Sequence, residues 1–80
     1  MRFEELKYIT KKLGISRIRS FSDYWCRFRF HGNIWEIDEN NNENWVLYRE
    51  VSAEHRYVYS RKSTLEELLD ELLVLKVMES

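Results

Sequence analysis

Apolar and polar residues alternate most regularly between Trp25 and Asp38, where Trp25-Cys26-Arg27-Phe28-Arg29-Phe30 and Ile34-Trp35-Glu36-Ile37-Asp38 flank His31-Gly32-Asn33. A period of two bounded by turn residues predicts a β-hairpin. Gly32 and Asn33 both tolerate positive φ, so a two-residue turn at these positions pairs Phe30 with Trp35, Arg29 with Glu36, Phe28 with Ile37 and Arg27 with Asp38. In that register Cys26, Phe28, Phe30, Trp35 and Ile37 share one apolar face. The opposite face carries Trp25, Ile34 and the two opposite-charge pairs.

Around the hairpin the period changes. Phe3, Leu6, Ile9 and Leu13 form a helical stripe over residues 3–13, with Glu4 and Glu5 ahead of Lys11 and Lys12 and Gly14 as its stop. Residues 15–21 fit either a short edge strand or an irregular approach to the hairpin. Glu39-Asn40-Asn41-Asn42-Glu43-Asn44 reads as a polar loop. Trp45–Val51 and Arg56–Ser60 read as two further strands joined around Ser52-Ala53-Glu54-His55. Pairing Val51 with Arg56 places Trp45, Leu47, Val51 and Val58 on one face and Val46, Tyr48, Tyr57 and Tyr59 on the other. Ser63 and Glu66 stand at capping-box spacing before a stripe of Leu65, Leu68, Leu69, Leu72 and Leu75 or Lys76, so a second helix closes the chain. Its end is apolar almost all round.

Two amphipathic helices need an apolar surface to cover. The predicted fold is therefore a small two-layer α+β domain, α-β-β-β-(β)-α, with an antiparallel sheet and both helices on one face. The other face carries Trp25, Arg27, Arg29, Ile34, Glu36, Tyr48, Tyr57 and Tyr59.

Composition narrows the function classes. At 80 residues, residues 1–80 are expected to form a single domain. With 44% hydrophobic and 34% charged residues it belongs to the folding class. A net charge of −1 argues against a generally basic nucleic-acid binder and against a DNA mimic. One cysteine allows neither an internal disulfide nor a cysteine-based zinc site, and Cys26 falls on the apolar face as a core residue. Residues 1–7 lack the apolar run of a signal peptide, and no stretch reaches membrane-spanning length, so a cytoplasmic location is expected.

No catalytic constellation emerges. His31 and His55 lie beside different turns without a paired nucleophile, and Glu66, Glu67, Asp70 and Glu71 read as a solvated helix face. No enzyme activity, cofactor or metal is expected. The face of Trp25, Arg27, Arg29, Tyr48, Tyr57 and Tyr59 has the aromatic and arginine content of interaction hot spots. It predicts a non-enzymatic protein-binding domain. In size and composition the chain is similar in general character to phage or mobile-element accessory proteins that act on a host protein. The apolar end of the last helix is either enclosed by the fold or meets another chain, and in the second case Leu73, Val74, Val77 and Met78 supply a contact between copies. The alternative is a nucleic-acid module, with the same aromatics stacking on bases and Arg17, Arg19, Arg27, Arg29, Arg56, Arg61 and Lys62 on phosphates. Glu36 and Asp38 are expected to neutralise part of that patch. The α-β-β-β-α order resembles the double-stranded RNA-binding domain and the HicA-type ribonuclease toxins in layout. Arg19-Ser20-Phe21-Ser22-Asp23-Tyr24 has no histidine where those toxins place a catalytic one. The basic cluster of the RNA-binding domain is reduced to Arg61-Lys62, so no family residue is carried over.

Overall fold

The structure is a computed structural model and describes residues 1–40 and 44–79. The chain runs α1 (Phe3–Leu13), β1 (Ile18–Ser22), β2 (Trp25–Phe30), β3 (Asn33–Glu39), β4 (Trp45–Ser52), β5 (His55–Lys62) and α2 (Leu65–Met78). Every strand is antiparallel to its chain neighbour, so the sheet order is β1-β2-β3-β4-β5. The segment after Gly14 thus supplies a fifth strand at the sheet edge. Residues 41–43 of the expected polar loop lie outside the described residues, while Asn40 N–H donates to Asn44 O at 3.1 Å across it.

Both helices cover one sheet face, as the apolar stripes require. Ile9 and Leu13 of α1, Leu65, Leu68, Leu69 and Leu72 of α2, and Cys26, Phe28, Phe30, Trp35, Ile37 and Leu47 of the strands share one buried cluster. Lys12 of α1 joins the helices through Asp70 at 2.9 Å. Trp35 sits fully buried in that cluster, donating Nε1–H to Phe30 O at 3.0 Å and meeting the edge of Tyr59 at 5.0 Å between ring centroids. The expected stripe of α1 needs one change. Phe3 points to solvent, and Met1 fills the core in its place. Among the described residues, no helix is long and apolar enough to cross a membrane.

Local signals place the element ends. Gly14 takes φ 69° at the α1 terminus, and its amide donates to Thr10 O. The α2 cap lies one residue beyond the expected Ser63/Glu66 pair: Thr64 Oγ1 accepts from the Glu67 amide at 3.2 Å, while Ser63 Oγ donates to the Glu67 carboxylate.

Two registers differ from expectation. The β2–β3 turn is His31-Gly32, with φ 51° and 77°, the positive pair that a type I′ turn demands. Phe30 then opposes Asn33, Phe28 opposes Trp35 and Arg27 opposes Glu36. This is a slip of two residues, which leaves every side chain on its expected face but dissolves the Arg29–Glu36 and Arg27–Asp38 pairs. The β4–β5 ladder is interrupted by irregularities between Leu47 and Tyr48 and between Glu50 and Ser52. Tyr48 consequently opposes Val58, and Arg49 opposes Tyr57. That one-residue slip moves Tyr57 and Tyr59 to the side of Trp35 and the helices and turns Val58 away from it. Val51, expected in the core, is exposed.

Candidate binding surface

The face left open by the helices is organised around one buried carboxylate. Glu36, in the middle strand, is only 6% exposed. Its Oε1 accepts from Trp25 Nε1–H at 2.7 Å and from Arg56 Nη1–H at 2.7 Å. Arg56 in turn lies over the Tyr48 ring, 3.9 Å from its centroid, and within 5.8 Å of the Trp25 centroid. A guanidinium held between an acid and two rings is fixed in place, because charge, hydrogen bonding and cation–π attraction all favour one position. Beside it, Arg27 reaches over β3 to Glu50 with a forked contact, Nε at 2.8 Å and Nη2 at 2.6 Å.

These pairings use Glu36 and Glu50 on Arg56 and Arg27. Arg29, opposite Ile34, is left exposed. Arg19 stands directly across from Arg27, an arginine-to-arginine juxtaposition on neighbouring strands. Arg17 precedes β1 and joins Arg19, Arg27 and Arg29 around an open groove of about 410 Å³ that Ile34 also lines. Among the described residues, no carboxylate pairs with Arg17, Arg19 or Arg29. Arg61 is a further exposed arginine on this face, opposite the buried Val46.

Arg27 also borders a second open cleft of about 450 Å³, lined by Phe21, Trp25, Glu36, Arg56 and the β4–β5 turn. There Phe21 stacks on Trp25 with centroids 4.5 Å apart and an interplanar angle of 27°. Arg19 sits 5.4 Å from the Phe21 centroid on this edge. The irregularity between Ser20 and Ser22 is where Phe21 lies in the ladder.

Of the residues expected on this surface, Trp25, Arg27, Arg29 and Tyr48 occupy the open face together. Tyr57 and Tyr59 lie on the other side, Tyr57 within reach of Arg49 and Tyr59 against Trp35. Phe21, Arg19 and Arg56 are the members that a reading of the hairpin alone did not bring to the centre. The Phe21 and Arg19 signals lay in a segment whose strand pattern was ambiguous. At the far end of α2, Leu73, Val74, Val77 and Met78 border an apolar depression of about 360 Å³, with Val77 and Met78 73% and 77% exposed.

His31 stands apart from these clusters, and His55 lines the second cleft from the β4–β5 turn. His31 is a turn residue facing Glu79 at 3.5 Å, and His55 Nδ1 lies 3.1 Å from Ser52 Oγ at the other turn. Cys26 is enclosed in the core, and that burial pushes its thiol up to about 12. Among the described residues, no group of three or more histidine, cysteine or acidic side chains gathers as a metal site. No protein-family model, curated protein or solved structure gives a significant match to this chain.

Proposed function

We propose that this protein is a non-enzymatic binding domain whose open sheet face engages an anionic macromolecule. The observation that carries the reading is the row of Arg17, Arg19 and Arg29, gathered around one groove with no carboxylate partner among the described residues. Surface arginines of a chain with net charge −1 are ordinarily interspersed with acids. Here Glu36, Asp38 and Glu50 are the strand carboxylates of the open face, against Arg17, Arg19, Arg27, Arg29, Arg56 and Arg61, so that face keeps an excess of arginine. A like-charge row persists at a cost in stability that an anionic ligand would relieve.

The test is affinity capture of the tagged protein from lysate of its own organism, with and without nuclease, beside an Arg19→Glu/Arg29→Glu variant confirmed to be folded. A species retained by the wild type and lost by the variant supports the reading. A protein partner, including a host factor bound through Trp25 and Tyr48, is registered as a nuclease-resistant species. Capture that ignores the charge reversals overturns the reading.

The apolar depression at the end of α2 favours a second contact, between copies of the chain. Light scattering should show concentration-dependent growth in mass that Val77→Lys abolishes; a clean monomer at high concentration sinks that contact.

A further inference from the structure

We infer that the anionic ligand is single-stranded nucleic acid, laid along β1 and β2 with its phosphates on the arginine row and a base on the Phe21–Trp25 stack. The inference rests on the binding reading above and names its ligand. Three features separate a nucleic-acid strand from other polyanions.

The first is that the two clefts are neighbours. Arg27 borders both, so the arginine-lined groove lies next to a cleft in which Phe21 and Trp25 stand beside Glu36, Glu50 and Glu54, whose charges keep the phosphates on the arginine side. An acidic peptide needs only the first, whereas a nucleotide presents an anionic phosphate and a flat ring side by side. The second is the state of the aromatic pair. Phe21 is 43% exposed, and its ring is already held against Trp25, whose indole is fixed by Glu36. A pre-ordered ring loses little freedom when a base stacks on it. The third is shape. The open face is a sheet rather than a helix or ribbon projecting into a duplex groove, and bases in a duplex have their flat faces covered by their neighbours. An unpaired strand offers those faces freely.

Arg27 is held by Glu50, so its guanidinium donors are already engaged. The groove's unpaired charges are Arg17, Arg19 and Arg29, which gives about three phosphate contacts. Single strands lose about 0.7 in log K per log unit of salt for each phosphate neutralised, so the slope should be about −2.

Fluorescence anisotropy with labelled oligouridylate and oligodeoxythymidylate tests this, against a duplex and labelled polyglutamate. Single strands should bind in about the micromolar range at low salt, ahead of duplex and polyglutamate. Arg29→Gln should lessen the slope by about 0.7. Phe21→Ala should weaken binding about tenfold at every salt concentration with the slope unchanged. Arg19→Glu should weaken binding while raising the melting temperature, because it replaces a like-charge pair with an opposite-charge one; an unfolded variant cannot give that combination.

Equal or tighter binding of polyglutamate, or of duplex, overturns the inference. Absence of oligonucleotide binding also overturns it. In each case the binding reading stands if lysate capture still depends on Arg19 and Arg29, and falls with the inference if it does not.

Discussion

Arg19 and Cys26 show how a single position on this sheet can trade stability for a chemical property. Arg19 opposes Arg27. Opposite-charge pairs across antiparallel strands are favourable by about 0.2–1 kcal/mol, and like charges are unfavourable. Arg19→Glu should therefore stabilise the fold by up to about 1 kcal/mol in urea denaturation, an effect that added salt reduces. No change, or a loss, would show that the two guanidinium groups avoid each other. Cys26 is the reverse case. Its burial raises the thiol from an ordinary value of 9.0 to about 12, so the folded chain holds the proton while the unfolded chain releases it. The stabilisation is fully present below pH 9 and is lost as pH rises toward 12, at about 1.4 kcal/mol per pH unit. Between pH 8 and 10.5 the wild type should lose about 2 kcal/mol relative to Cys26→Ala, measured by urea denaturation. A constant gap between the two would mean that the thiol is not shielded.

At the scale of the element, the two hairpins explain what the residue pattern could and could not disclose. For β2–β3 the apolar set Cys26, Phe28, Phe30, Trp35 and Ile37 alternates with Arg27, Arg29, Glu36 and Asp38, with Trp25 and Ile34 the two apolar exceptions. A register error of two residues therefore leaves the faces intact and changes only who opposes whom. For β4–β5 the pattern carries less information. Val46, Tyr48, Val51, Tyr57, Val58 and Tyr59 supply apolar bulk to both faces, and a bulge leaves no mark on composition. Tyr57 and Tyr59 were thus legible as strand residues but not as occupants of the helix side. The same limit hid half of the binding surface. Arg27 and Arg29 could be read from the hairpin, whereas the unpaired state of Arg29 and the stack of Phe21 on Trp25 depend on long-range pairing. The turn offers a direct check. His31 holds φ 51°, where asparagine fits better than most residues and β-branched side chains fit worst. His31→Asn should raise stability by about 0.5 kcal/mol, or about 2–4 °C in melting temperature, and His31→Val should lower it. Equal melting temperatures for the two variants would place the turn elsewhere.

For the whole molecule, the decisive fact is that chain order equals sheet order while the two ends of the chain meet on the covered face. Each strand pairs with its sequence neighbour, so much of the sheet can form from local contacts. The sheet cannot be stable alone, however, because Phe28, Trp35, Ile37 and Leu47 have no apolar cover until helices from opposite termini arrive. Those helices depend on the sheet in turn, since a helix of 11 residues is marginal in water without a surface to bury its apolar stripe. Neither layer persists without the other. The chain should therefore unfold as one cooperative unit, with far-UV dichroism reporting the helices and near-UV dichroism reporting packed aromatics such as Trp35 in coincident transitions. Calorimetry should give an unfolding enthalpy of about 50–60 kcal/mol, equal to the van't Hoff value, as expected for one domain of this length. Helical signal lost at a lower temperature than the aromatic signal would mean that the sheet survives uncovered. The open face could then not be treated as a rigid platform built on a single core.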